Sequence, residues 1–287
     1  MKGPIAVVTT FGLGRTPAQA GMYDVLVEQG IDADYFVGTS LGAVNAAAFA
    51  AGVGTEELRD FWQWLETDVY GSPMRTISRS MSPRQARKQQ DQIHERLDRM
   101  LPASFDDLPK PLRLLGTDLK SGLAVVIETG SLPDAVMASS ALPAVMPPVD
   151  LGDGPVIDGG LVAGMPLDAV PDGTGTAIVL DTGDSSVSVE SASAYRWWEV
   201  GAISYGHIIR GQAVNALVRA VAVMPVVMIS TSAEGLLDFT ELDKVLAAGR
   251  SAATDILSDL PARLSKRVYG LPPDAQQFPA FRSISAG

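Results

Sequence analysis

The chain has 287 residues, 46% of them hydrophobic and 19% charged, which is enough apolar material for a substantial core in one large or two small domains. Its formal net charge of -11 repels nucleic acid and anionic surfaces at long range, so no nucleic-acid partner is expected. With no cysteine, disulfides, thiolate zinc sites and a cysteine nucleophile are excluded.

Ile5 to Val8 is a short, mostly β-branched run that stops at Thr9-Thr10. It is too short for the apolar region of a signal peptide and suits a first strand. Gly12 to Pro17 reads as a glycine-containing turn into an amphipathic helix from about Pro17 to Gln29, with Gly30 at its end. Ala33 to Val37 reads as a second strand and Ala43 to Ala51 as an alanine-rich helix closed by Gly52. This alternation predicts an α/β fold, a mostly parallel central sheet flanked by helices on both faces. Thr55 to Glu66 predicts another helix, with Leu58, Phe61, Trp62 and Leu65 on its core face.

Between Gly71 and Met100 the composition turns basic. Arg75, Arg79, Arg84, Arg87, Lys88, Arg96 and Arg99 stand against Asp91, Glu95 and Asp98, seven positive charges to three negative. The stretch reads as a solvated, ion-paired helix, or as a mobile cover or phosphate-attracting rim beside a site. Strands are expected at Leu112 to Gly116 and Ala124 to Glu128, joined through Lys120-Ser121-Gly122, and again at Ala177 to Leu180 and Val226 to Ile229. The apolar stretch from Leu217 to Ile229 is interrupted by Arg219 and Pro225 and falls short of the roughly 20 apolar residues of a membrane span. A cytoplasmic protein without a membrane anchor is expected. Leu242 to Leu257 reads as a last amphipathic helix, and the sequence after Pro261 as a loosely packed tail. The expected organisation is one domain over residues 1–260 and a tail over 261–287.

Ser40 lies in Gly38-Thr39-Ser40-Leu41-Gly42, after an apolar strand and before a helix, the context in which Gly-x-Ser-x-Gly carries a mechanism. A sharp strand-to-helix turn exposes the serine Oγ, and the flanking glycines let it close without Cβ clashes. The chemistry indicated is that of a serine esterase or acyl-transfer enzyme. A serine hydroxyl needs a base within hydrogen-bond reach. His94 lies in a heavily charged helix and reads as a surface residue, and His207 has surroundings more helical than those of a sheet-edge loop. The competing base is Asp158 in Val156-Ile157-Asp158-Gly159-Gly160, where an apolar pair delivers a carboxylate into an uncluttered turn. Burial raises a carboxylate's pKa, and a direct bond to the serine removes the need for a relay. No His-Glu-x-x-His or carboxylate loop is present, so no metal or cofactor is expected.

Gly38-Thr39-Ser40-Leu41-Gly42-Ala43 with Asn45 and Ala46, then Ala138-Ser139-Ser140-Ala141-Leu142-Pro143-Ala144-Val145-Met146-Pro147-Pro148, then Asp158-Gly159-Gly160-Leu161-Val162, strongly resemble the patatin-like phospholipases. The resemblance runs from residue 5 to about 260, including Leu237-Asp238-Phe239 and the helix through Gly249-Arg250. It implies a patatin-like fold and a Ser-Asp dyad, with Ser40 as nucleophile and Asp158 as base. The family's Gly-Gly-Gly-x-Arg-Gly oxyanion loop aligns with Phe11-Gly12-Leu13-Gly14-Arg15-Thr16, which makes Gly12, Leu13 and Gly14 the oxyanion-hole candidates. Arg15 is kept, but Phe11, Leu13 and Thr16 replace glycines. If Leu13 has to adopt a positive φ, strain of about 1 kcal/mol or more follows. The function implied is hydrolysis of lipid acyl esters, of phospholipase A or lysophospholipase type. The same acyl-enzyme serves an acyltransferase or thioesterase, and the altered loop also allows a catalytically impaired lipid-binding or regulatory protein. Trp197-Trp198 and the basic stretch suggest transient contact with a membrane surface.

Overall fold

Period-two alternation in the apolar runs decides which side chains face which layer. The computed structural model describes residues 1, 3–70, 82–182, 197–231 and 241–271. Among them nine strands make one sheet. They are β1 (Ile5–Thr9), β2 (Tyr35–Thr39), β3 (Leu112–Asp118), β4 (Ala124–Ile127), β5 (Val149–Asp150), β6 (Pro155–Asp158), β7 (Thr176–Asp181), β8 (Val226–Ser230) and β9 (Val268–Tyr269). The order is β5-β6-β3-β2-β1-β7-β8-β9, with β4 also paired to β3. From β3 through β9 the neighbours run parallel. β4 and β6 run antiparallel to β3, and β5 antiparallel to β6. The sheet is therefore mixed but mostly parallel.

Helices cover both faces: α1 (Ala18–Glu28), α2 (Gly42–Ala51), α3 (Thr55–Trp64), α4 (Pro83–Met100), α5 (Leu132–Ser139), α6 (Gly160–Ala163), α7 (Trp197–Val223) and α8 (Leu242–Ser258). Val7, Phe36, Leu114, Ile178 and Val227 pack into a core with Met22 and Leu26 of α1, Ala43 and Ala47 of α2, and Phe61 of α3. Their chain neighbours Val8, Val37, Leu115, Val179 and Val226 face the other way, onto Met165, Leu167 and, from α7, Ala216 and Ala220. Strands buried on both faces read as continuous apolar runs. Where α1 crosses α8, a Cβ on Gly21 would stand 2.1 Å from the Leu246 carbonyl oxygen, and one on Gly249 2.0 Å from that of Ala18. Two glycines thus set the distance between these helices.

The predicted core face of α3 is buried at Leu58, Phe61, Trp62 and Leu65, and a π-helical turn carries the chain on through Leu65–Tyr70. In α4, Ala86, Gln89, Ile93, Leu97 and Met100 point inward. Arg84, Arg87 and Lys88 are exposed, Arg99 pairs with Glu95, and Arg96 stands over the Trp64 ring. The described part of the basic stretch is a solvated helix face, and Arg75 and Arg79 lie outside the described residues. So do Leu237-Asp238-Phe239 and the side chains of Trp197 and Trp198. Within the segment expected as a loose tail, Val268 and Tyr269 pair with β8, and Tyr269 is buried. Among the described residues no helix is long and apolar enough to cross a membrane.

Candidate active site

β2 ends at Thr39 and α2 begins at Gly42, so the chain reverses within Ser40 and Leu41. Ser40 takes φ +56, in the left-handed region that costs a non-glycine residue about 1–2 kcal/mol. The flanking glycines are needed for space. A Cβ on Gly38 would stand 2.6 Å from that of Ala46, and one on Gly42 2.3 Å from the Thr10 carbonyl oxygen. Two bonds hold the strained turn: the Ser40 N–H donates to Ser139 Oγ at 3.1 Å, and the Ser139 hydroxyl donates to the Leu115 carbonyl at 2.6 Å.

Asp158, the last residue of β6, is brought to Ser40 by antiparallel pairing with Gly116 of β3. The Ser40 hydroxyl donates to Asp158 Oδ2 at 2.7 Å, and the Gly160 N–H donates to Oδ1 at 2.7 Å. The backbone of Asp158 is fixed on both sides: its N–H donates to the Ala141 carbonyl at 3.0 Å, and its carbonyl accepts from the Thr117 hydroxyl at 2.8 Å. A Cβ on Gly159 would lie 2.0 Å from the Leu115 carbonyl oxygen, so this turn lies directly against β3. The Gly159 N–H donates to the Ser139 carbonyl at 3.0 Å. Ser139 therefore touches both turns, with its side chain on Ser40 and its backbone on Gly159. Ser40 is 3% exposed and Asp158 1%.

The loop after β1 lies against the start of α2, through the Thr9 hydroxyl on the Gly42 carbonyl at 2.8 Å and an Asn45 amide bond to the Thr16 carbonyl at 2.9 Å. Leu13–Arg15 is one right-handed 3₁₀ turn, closed by the Arg15 N–H on the Gly12 carbonyl at 3.1 Å. Such a turn keeps φ negative, so Leu13 does not carry the strain that a positive φ there would impose. Among the described residues the positive-φ positions other than glycine are Ser40 and Ala144. Gly12 has no room for a side chain, since a Cβ there would stand 2.0 Å from Thr182 Oγ1. Phe11 is buried, with its N–H on the Gly164 carbonyl at 3.3 Å.

Neither histidine is hydrogen-bonded to the serine, whose N–H and hydroxyl bond to Ser139 and Asp158. His94 lies in α4, with Nε2 at 2.7 Å from Asp134 Oδ1 and Nδ1 at 3.1 Å from Asp98 Oδ2. His207 lies exposed in α7. Ser139 and Gln19 escape a reading of the sequence: Ser139 has a serine on its C-terminal side and nothing local to tell the two apart, and Gln19 looks like any polar residue of a first helical turn. Among the described residues no cluster of three metal-ligating side chains occurs.

The family model for patatin-like phospholipases matches residues 12–171, which contain the loop from Gly12 on, Ser40 and Asp158. An uncharacterized NTE family protein of Mycobacterium tuberculosis is 29% identical over 188 residues, 62% of this chain and 30% of that protein. Patatin-like phospholipase domain-containing protein 7 of Mus musculus is 29% identical over 202 residues, 68% of this chain and 15% of that protein. The chain thus spans less than a third of the length of either. VipD from Legionella pneumophila aligns over 90% of this chain and 67% of its own, at 14% identity and a TM-score of 0.47. On the family match, over more than half of its length, this chain belongs to the patatin-like phospholipase family.

Proposed function

We propose that the chain is a serine-dependent hydrolase of lipid acyl esters, of phospholipase A or lysophospholipase type. Ser40 is the nucleophile and Asp158 the base. One observation carries this reading: the 2.7 Å bond from the Ser40 hydroxyl to Asp158 Oδ2, between two residues almost wholly buried. As Ser40 Oγ attacks the ester carbonyl, its proton passes to Oδ2, and the C–O bond to the leaving alcohol then breaks as that proton is returned to it. The Gly160 N–H on Oδ1 keeps Oδ2 turned toward the serine. Backbone N–H groups at Gly12, Leu13 and Gly14 stabilise the tetrahedral oxyanion, the largest single contribution in chemistry of this kind. Water then attacks the acyl-enzyme and gives a proton to Asp158, which passes it to Ser40 Oγ as the bond from Oγ to the acyl carbon breaks and the fatty acid leaves. No metal or cofactor takes part in these steps.

Burial of the dyad supports a second reading. Where an alcohol or thiol reaches the acyl-enzyme ahead of water, the outcome is acyl transfer or thioester chemistry. The partition between hydrolysis and transfer in the presence of glycerol separates the two. The right-handed turn at Leu13–Arg15 removes the strain argument at Leu13, and the catalytically impaired, lipid-binding alternative then rests on Phe11 and Thr16 in place of glycines. Ser40→Ala and Asp158→Ala are each expected to abolish turnover of a chromogenic acyl ester with the fold unchanged. Retention of most activity by either variant refutes the assignment.

A further inference from the structure

We infer that Gln19 and Asn45 form a buried brace that fixes the loop Phe11–Thr16 relative to Ser40, which makes both of them positioning residues for catalysis; this rests on the oxyanion role proposed above for that loop. The Gln19 amide donates to the Thr10 carbonyl at 2.8 Å and to the Leu180 carbonyl at 3.0 Å. The Asn45 amide donates to the Thr16 carbonyl at 2.9 Å and to Gln19 Oε1 at 2.9 Å. The Trp62 indole N–H donates to Asn45 Oδ1 at 3.0 Å. Thr10, just before the loop, and Thr16, its last residue, are thereby tied to two side chains that are bonded to each other.

The arrangement admits one orientation of each amide. Both hydrogens of each NH₂ group are used on carbonyl oxygens, and each amide oxygen accepts from a donor. Turning the Asn45 amide over would set Oδ1 against two acceptors and Nδ2 against the indole N–H. Gln19 and Asn45 are 0% exposed and Trp62 2%, so a broken bond has no water to replace it. Asn45 stands five residues after Ser40 and lies in α2, so α2 carries both the serine turn and the anchor of the loop. A loop with only two glycines between Phe11 and Thr16 is thus placed by side chains drawn from α1, α2 and α3.

Asn45→Asp keeps the shape and turns both donors into an acceptor. The readout is turnover of matched nitrophenyl ester and thionoester substrates, because sulfur in place of the carbonyl oxygen bonds poorly to N–H donors and makes the ratio sensitive to oxyanion placement. For the ester, kcat is expected to fall about 10²-fold, as for loss of one oxyanion donor, with KM changed less than about threefold. The thionoester rate falls much less, so the preference for the ester collapses. Trp62→Phe removes the N–H that Asn45 Oδ1 accepts, together with part of the buried ring, and is expected to act in the same direction by about two- to tenfold. It carries the test if Asn45→Asp does not fold. Equal losses on both substrates overturn the inference, as does a change in KM alone. Backbone amide exchange over residues 13–15 is measured in parallel and is expected to quicken in both variants. If the wild type hydrolyses neither substrate, the hydrolase assignment falls and exchange alone judges the brace, which is overturned if exchange is unchanged.

Discussion

Substituting Gly159→Ala probes the contact that places the proposed base. Gly159 has φ -71, an ordinary right-handed value, so alanine meets no conformational penalty and the conflict is purely steric. The added Cβ would stand 2.0 Å from the Leu115 carbonyl oxygen and 2.6 Å from Thr39 Oγ1. Leu115 is held in β3, so relief has to come from the 158–160 turn moving by about 1 Å. Such a shift lengthens the 2.7 Å Ser40–Asp158 bond beyond the roughly 3.5 Å at which a hydrogen bond is lost. Misplacement on this scale costs about 10²-fold in rate. Overpacking costs about 1–3 kcal/mol, and at about 2–4 °C per kcal/mol for a chain of this size the Tm falls by several degrees. Ester turnover and thermal unfolding are measured beside Gly211→Ala, whose added Cβ meets nothing within 4 Å in the exposed face of α7. That control is expected to be neutral or stabilising by up to about 1 kcal/mol, with full activity. Wild-type turnover and Tm in Gly159→Ala would show that the turn does not lie against β3 as described.

Three further outcomes follow from the packing. Ser139→Ala removes an acceptor from the Ser40 N–H and a donor from the Leu115 carbonyl, so stability is expected to fall by about 1–3 kcal/mol and the rate of Ser40 acylation on the order of tenfold; an unchanged acylation rate contradicts the role given to Ser139. Gly249→Ala sets a Cβ 2.0 Å from the Ala18 carbonyl oxygen and forces α1 and α8 apart, so the Tm is expected to fall by several degrees; a wild-type Tm contradicts the close crossing of the two helices. The Tyr23 phenol, stacked on Phe49, is raised from 10.0 to about 12, first by burial and then by the negative charge of Asp32. Below pH 10.0 both folded and unfolded chains keep the proton, and between there and about 12 mainly the unfolded chain releases it, so stability falls as pH rises through that window. Partial exposure reduces the loss to on the order of 1 kcal/mol, read as a steeper decline in urea midpoint from pH 9 to pH 11 for wild type than for Tyr23→Phe.

The sheet was legible because its strands are buried on both faces: Ile5 to Val8, Ala177 to Leu180 and Val226 to Ile229 are apolar throughout, and the structure extends each by only one or two residues. The two-residue strands β5 and β9 carry no period of their own and exist through their partners β6 and β8. Ser40 and Asp158 were legible because each stands at a strand end with glycine beside it, a local pattern. The bond between them spans 118 residues and depends on β6 joining β3 antiparallel, which local pattern does not specify. The same holds for Gln19, Asn45 and Trp62. Trp62 fits the apolar face of α3, and nothing near it in the chain shows that its N–H meets an amide from α2. The expected difficulty at Leu13 came from reading missing glycines as missing freedom. The loop instead closes as a right-handed turn, and the left-handed residue is Ser40 itself.

Direct activation of Ser40 by Asp158 is read by labelling the folded protein with a fluorophosphonate and weighing the intact product. One adduct per chain is expected, mapped to Ser40, absent in Ser40→Ala and formed at least about 10²-fold more slowly in Asp158→Ala. A folded wild-type sample that takes no label, or an Asp158→Ala variant that labels as fast as wild type, would contradict it.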